Sequence, residues 1–130
     1  MSGWADYVKN MMDNADAIKQ GAIIGKTDGS LWGKLPDNFA ITTDECTALS
    51  KAFTDLNGVP ATGVTVAGTK YIVPRVDENL IFGKAGTKGV FATSTNQTII
   101  VALFEGQSSE AAQARTAIES TADYLKQSNY

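Results

Sequence analysis

The sequence predicts an α+β fold: a central antiparallel sheet of about six strands, with the N- and C-terminal helices packed on one face and a further helix on the other. Apolar residues recur at helical spacing at both ends of the chain and once in its first half, whereas the middle alternates with a period of two. Short spacers between the strand segments favour antiparallel neighbours. The 130 residues, 43% of them hydrophobic, suit a single domain over residues 1–130.

The first helix is predicted from Ser2, a suitable N-cap, and from apolar residues on one helical face. These are Trp4, Tyr7, Val8 and Met11. A hairpin follows, with a buried strand over residues 21–25, a tight Asp28-Gly29 turn, and Trp32 on the second strand. The start of the chain is therefore rich in aromatic rings.

The second helix begins at a capping box formed by Thr42 and Glu45. It places Cys46, Leu49, Phe53 and Leu56 on one face and ends before Asn57-Gly58. We expect Cys46 to face inward.

The remaining strands are predicted over residues 64–66, 70–73, 80–82, 90–94 and 98–104. Pro74 indicates an edge or a bulge, because proline cannot donate to a strand ladder. Ser109 is predicted to cap a final helix that runs almost to Tyr130. Its apolar face carries Ala111, Ala114, Ile118, Ala122 and Leu125.

Composition excludes several classes of function. The chain has no histidine, which removes Ser-His-Asp and Cys-His catalysis and His-ligated zinc, so we expect neither an enzyme nor a metal or other cofactor. A formal net charge of −3 argues against a nucleic-acid partner. One cysteine, no secretory signal and no apolar run longer than Ile99–Phe104 favour a cytoplasmic protein.

The distribution of tryptophan and tyrosine is the most informative pattern. Trp4 and Tyr7 lie in the first seven positions, and Tyr124 and Tyr130 lie in the last seven. If the terminal helices lie side by side, these rings converge and Trp32 can join them. Rings with N–H and O–H donors suit a polyproline II ligand, whose carbonyls are free to accept hydrogen bonds. Equally, the rings could serve only to clamp two helices to the sheet.

The whole chain resembles the profilin family. The resemblance is carried by Ser2-Gly3-Trp4-Ala5-Asp6-Tyr7-Val8, by Ala22-Ile23-Ile24-Gly25 with Asp28-Gly29-Ser30-Leu31-Trp32, and by Ala122-Asp123-Tyr124-Leu125. Lys70-Tyr71-Ile72-Val73, Arg75, Gly83-Lys84 and Lys88-Gly89 resemble its middle section. The resemblance implies a non-catalytic, monomeric protein that binds actin monomers, regulates actin polymerisation and accepts proline-rich partners such as formins on a separate face. It also implies phosphoinositide binding, which the acidic balance and scattered lysines make weak.

The resemblance assigns residues to two faces. The polyproline-binding residues are Trp4, Tyr7, Trp32, Tyr124, Leu125 and Tyr130. The actin-binding residues are Lys70, Val73, Arg75, Lys84, Lys88, Arg115 and Glu119. The alternatives are a small-ligand sensor domain of similar α+β architecture, which needs an enclosed pocket, and a structural dimerisation module.

Overall fold

The strands of the protein form one antiparallel sheet. The computed structural model describes residues 4–36 and 38–130, and for Arg75 it describes the backbone alone. Its strands are β1 (Ile18–Gly25), β2 (Leu31–Leu35), β3 (Val64–Val66), β4 (Thr69–Asp77), β5 (Leu80–Ala85), β6 (Lys88–Ser94) and β7 (Thr98–Glu105). Their order across the sheet is β2-β1-β7-β6-β5-β4-β3. The described part of the chain thus has seven strands, close to the expected number.

The helices are α1 (Trp4–Asp13), α2 (Thr43–Ala52), α3 (Val59–Thr62) and α4 (Ser108–Gln127), with a 3-10 turn at Leu56–Gly58. The expected cap at Ser2 lies outside the described residues. Within those residues, none of the helices combines the length and the apolar character needed to cross a membrane.

Two cores lie on opposite faces of the sheet. On one face, α1 and α4 pack through Val8, Met11, Ile118 and Leu125 onto β1 and β7. On the other, α2 and α3 pack through residues that include Cys46, Leu49 and Val59. The predicted arrangement of helices is confirmed, and Cys46 faces inward, where burial raises the pKa of its thiol.

The capping box of α2 forms as predicted. Thr42 Oγ1 accepts from the Glu45 N–H at 3.1 Å, and Glu45 Oε1 accepts from the Thr42 N–H at 3.0 Å. The same carboxylate accepts from the N–H groups of Ala67 and Gly68 at 2.7 and 2.8 Å, which ties α2 to the turn between β3 and β4. The helix ends at Ala52, earlier than predicted, where the Thr54 hydroxyl donates to the Lys51 carbonyl at 2.6 Å.

Helix α4 begins one residue before the predicted cap. Gln107 is the N-cap, and its N–H donates to Glu110 Oε1 at 2.8 Å. Ser109 lies inside the first turn, where its hydroxyl donates to the other Glu110 oxygen. The position of the glutamate, three residues after the cap, therefore decides where the helix begins.

Pro74 lies at an irregularity, as predicted. The pairing of β4 with β5 shifts register between Ile72 and Arg75. Because proline has no N–H to donate, the ladder is interrupted where Pro74 lies.

Candidate functional site

Five aromatic side chains from three distant parts of the chain meet beside the sheet. The Trp4 ring centroid lies 5.5 Å from that of Tyr7, 4.8 Å from that of Trp32 and 4.8 Å from that of Tyr130. The ring centroids of Tyr7 and Tyr124 lie 5.7 Å apart. We call Trp4, Tyr7, Trp32, Tyr124 and Tyr130 the aromatic cluster. The convergence expected from the sequence is therefore present in the geometry.

Gly33 determines how closely α1 approaches β2. A Cβ atom at Gly33 would lie 2.8 Å from the Ala5 nitrogen and 2.9 Å from the Trp4 carbonyl carbon. Both of these are backbone atoms, which cannot move aside as a flexible side chain can. The missing side chain thus allows the first turn of α1 to rest on β2, which brings Trp4 against Trp32.

The last residue is held by the turn between β6 and β7. A main-chain oxygen of Tyr130 accepts from the Thr95 hydroxyl at 2.8 Å and from the Gln97 N–H, while the Tyr130 N–H donates to the Leu125 carbonyl at 2.8 Å. Gln97 Nε2 also donates to the Asn129 carbonyl at 3.1 Å. These bonds hold the backbone of Tyr130, and its ring lies edge-on to Trp4.

The polar tips of four rings are available to a ligand. Within the described residues, the Trp4 indole N–H and the hydroxyls of Tyr7, Tyr124 and Tyr130 make no hydrogen bond, and no buried side-chain polar atom lacks a partner. Tyr124 is 54% exposed, and Trp4 and Tyr7 are half-buried. The aromatic cluster therefore presents apolar ring faces together with unused hydrogen-bond donors.

A second surface lies on the part of the same sheet face that α1 and α4 leave uncovered. Ile72 on β4 is 70% exposed, and it lies opposite Lys84 of β5 in the register. Phe82, two residues before Lys84, packs against Phe91 with ring centroids 5.0 Å apart. We call Ile72, Phe82 and Lys84 the open sheet face. Beside it, a groove of about 260 Å³ runs from Phe82 to Ala111 and Arg115 of α4.

Comparison with known proteins settles the family. The family model described as Profilin matches residues 2–130. The chain belongs to the profilin family. Profilin-2 of Caenorhabditis elegans is 45% identical over 132 residues, and Profilin-1 of the same organism is 41% identical over 132 residues; each alignment covers 100% of both chains.

Solved profilin structures share the fold. Acanthamoeba castellanii profilin II superimposes with a TM-score of 0.86 at 31% identity, covering 98% of this chain and 100% of that one. Schizosaccharomyces pombe profilin gives a TM-score of 0.88 at 27% identity, with the same coverage. Profilins are non-enzymatic actin-binding proteins, so family membership confirms the α+β fold and the prediction that the protein is not an enzyme.

The structure corrects the placement of one residue that the resemblance to profilins assigned to the polyproline site. Leu125 is completely buried, in the core shared by α1 and α4. It lies on the inner face of α4, so it supports the aromatic cluster from below rather than presenting a surface to a ligand.

Two of the residues assigned to actin binding lie away from the open sheet face. Val73 is 2% exposed and belongs to the core beneath α2, because side chains alternate along β4 and its neighbour Ile72 faces outward. Lys88 precedes Gly89, the residue opposite Lys84, so it lies on the other face of the sheet. Sequence reasoning missed the exposure of Ile72, for which an isoleucine in the outward register of a strand was the signal.

The remaining actin-binding assignments lie on β4, β5 and α4, where basic and acidic side chains are mixed. Lys70 is exposed on β4. Arg115 Nη2 lies 3.1 Å from Asp77 Oδ2, and Arg115 Nε lies 3.5 Å from Glu119 Oε1. These pairs are partly exposed, so they orient Arg115 more than they stabilise the fold. The side chain of Arg75 lies outside the described atoms, and its backbone pairs with Phe82.

A further groove, of about 580 Å³, lies between α2, α3 and β3 on the opposite face of the sheet. Its floor includes Leu49, Val59 and Val64, and Asp44 and Asp55 lie at its rim. Among the residues that the structure describes, no three His, Cys, Asp or Glu side chains converge to hold a metal ion.

We predict that Gly33→Ala displaces α1 from β2, because the new methyl group meets backbone atoms of Trp4 and Ala5. The free energy of unfolding should fall by about 1–3 kcal/mol, and the near-ultraviolet circular dichroism of the tryptophans should change. Urea unfolding and the near-ultraviolet spectrum are the measurements. Gly58→Ala is the matched control, since a Cβ atom there meets the flexible end of the Asp55 side chain, at 3.3 Å. Equal and small effects of both substitutions would contradict the role given to Gly33.

Proposed function

We propose that this protein is a single-domain profilin that binds actin monomers and proline-rich segments on two separate surfaces and thereby regulates actin polymerisation in the cytoplasm. The observation that carries the proposal is the aromatic cluster, in which ring faces and unused donors are combined at one exposed site. With two such surfaces, the protein would bring an actin monomer to a partner that carries proline-rich repeats.

The aromatic cluster suits a polyproline II helix for two reasons. Such a helix has three residues per turn and no internal hydrogen bonds, so its carbonyls are free to accept from ring N–H and O–H groups. Its proline rings can pack on the outer faces of the aromatic rings, which contact one another with centroids 4.8–5.7 Å apart and so form a continuous platform. A related structure supports this assignment: mouse profilin IIa, with a TM-score of 0.74 and 23% identity, was solved in complex with a double repeat from the FH1 domain of mDia1. We therefore propose formins as proline-rich partners.

The open sheet face suits a protein partner. An isoleucine that is 70% exposed would be covered on binding, and the lysines at positions 70 and 84 lie on the same side of the sheet. These two lysines complement the acidic surface expected of actin and would speed association. Phosphoinositides are a weaker partner in this proposal, because the lysines are scattered on a chain of net charge −3.

A small-ligand sensor would enclose its ligand in a pocket. The groove beside α2 and α3 is instead open to solvent, and its rim carries Asp44 and Asp55. The aromatic cluster is likewise a surface and not a cavity, which favours an extended peptide over a small molecule.

We predict that Trp4→Ala lowers the affinity for a proline decamer by about 30-fold, since loss of a tryptophan anchor commonly costs about 2 kcal/mol. Tryptophan fluorescence titration measures the affinity, and circular dichroism checks the fold. Lys9→Ala is the control, because Lys9 lies exposed on the same helix and pairs with Asp13 on its solvent-facing side. An unchanged affinity in a folded Trp4→Ala variant would overturn the proline site.

We predict that Ile72→Asp weakens actin-monomer binding about tenfold while leaving proline-peptide affinity unchanged, because it places a charge where an apolar side chain meets the partner. Folding should be unaffected, since the side chain is 70% exposed. The assay is sedimentation with labelled monomeric actin. Ala61→Asp, an exposed position on α3, is the matched control. If both variants bound actin like the parent, the actin surface would have to lie elsewhere.

A further inference from the structure

We infer that Ser30 and Asp28 are positioning residues of the proline-binding site, which hold the indole of Trp32 in the orientation that a ligand requires. This inference rests on the proposed function, because it assigns two further residues to that same site.

A short chain of hydrogen bonds connects these residues. Trp32 Nε1 donates to Ser30 Oγ at 2.9 Å, and Ser30 Oγ donates to Asp28 Oδ1 at 2.8 Å. The main-chain N–H of Ser30 donates to the same carboxylate oxygen at 3.0 Å. Trp32 is thus the member of the aromatic cluster whose polar tip is already used within the chain.

The chemistry of the three groups sets the direction of the chain. An ionised carboxylate can only accept, and a hydroxyl has one proton to donate. The Ser30 proton must therefore point to Asp28, which leaves a lone pair of the hydroxyl for the indole N–H. The Ser30 main-chain N–H, and then its hydroxyl, hold the pKa of Asp28 below its ordinary value, so the carboxylate stays ionised at neutral pH.

Gly25 provides the space in which this chain forms. A Cβ atom at Gly25 would lie 2.6 Å from Asp28 Oδ1, and 3.0 Å from both Ser30 Oγ and Trp32 Nε1. All three polar atoms therefore lie over the bare backbone of one residue. The Gly25 N–H also donates to the Ser30 carbonyl at 2.8 Å, which keeps the two strands of the hairpin in this position.

The consequence for binding is preorganisation. A tryptophan that is held before the ligand arrives loses less side-chain freedom on binding. The ring centroids of Trp32 and Trp4 lie 4.8 Å apart, so fixing the indole of Trp32 also supports that of Trp4. Trp32 then offers the proline segment its ring face, while the unpartnered tips of Trp4, Tyr7, Tyr124 and Tyr130 serve the ligand carbonyls.

The first test observes the hydrogen bond directly, without any ligand. The chain has two tryptophans, so a proton–nitrogen NMR spectrum contains two indole N–H signals. We expect the Trp32 indole N–H to exchange with solvent more slowly than the Trp4 indole N–H. Its exchange rate should rise about tenfold in Ser30→Ala and in Asp28→Ala. Ser109→Ala, which removes an exposed hydroxyl bonded to Glu110, is the matched control and should change neither signal. Equal exchange of both indoles in the parent would overturn the inference.

The second test measures binding of a proline decamer. Ser30→Ala should weaken it about threefold to tenfold, the size expected for losing one ordering hydrogen bond. In a Trp32→Phe background, where residue 32 has no indole N–H to donate, the same substitution should have no further effect. An equal loss in both backgrounds would show that Ser30 acts through the hairpin and not through Trp32, and would overturn the inference. A folded parent that fails to bind the decamer would instead overturn the proposed function, and this result is distinguishable because the exchange measurement needs no ligand.

Discussion

The contact between the two ends of the chain is the interaction on which the rest of the site depends. Trp4 begins α1, Tyr130 follows α4, and their rings meet edge-on with centroids 4.8 Å apart. Each aromatic pair of this kind contributes about 0.5–1.5 kcal/mol beyond the area it buries. Because Trp4 also contacts Tyr7 and Trp32, the end-to-end contact assembles the whole aromatic cluster. The clamp and the ligand platform, which the sequence leaves as alternatives, are therefore compatible roles for the same rings.

The coverage of the sheet explains why two separate surfaces exist on one protein. Helix α1 packs on β1 and β2, and α4 packs mainly on β7 and β6. The strand order then leaves β4 and much of β5 uncovered on that face. Trp32 on β2 and Lys84 on β5 are four strand positions apart, which is roughly 19 Å at about 4.8 Å per strand. The aromatic cluster and the open sheet face are therefore separate, as the proposed binding of two partners requires.

The sequence predicted features that depend on local patterns. The capping box at Thr42 and Glu45, the bulge at Pro74 and the inward-facing Cys46 follow from residue types at fixed spacings, and the structure confirms each of them. The convergence of rings from both termini could be anticipated because two amphipathic helices had one sheet face to share.

Other features depend on three-dimensional contacts that spacing does not encode. Leu125 lies next to Tyr124 in the sequence, yet one points into the core and the other into solvent. Val73 and Ile72 are likewise adjacent in the sequence, but Val73 is buried and Ile72 is exposed, since a shift of one residue moves a side chain to the other face of a strand. The bonds from Thr95 and Gln97 to Tyr130 join residues more than 30 positions apart, and only the folded chain reveals them.

Amide hydrogen exchange with and without a saturating proline decamer reports on the whole backbone at once and therefore locates the proline-binding surface. We predict slower exchange in residues 4–7, 31–35 and 124–130 and no change in residues 69–85. Protection confined to residues 69–85, or to the groove beside α2 and α3, would contradict the claim that the two ends of the chain build the proline-binding surface.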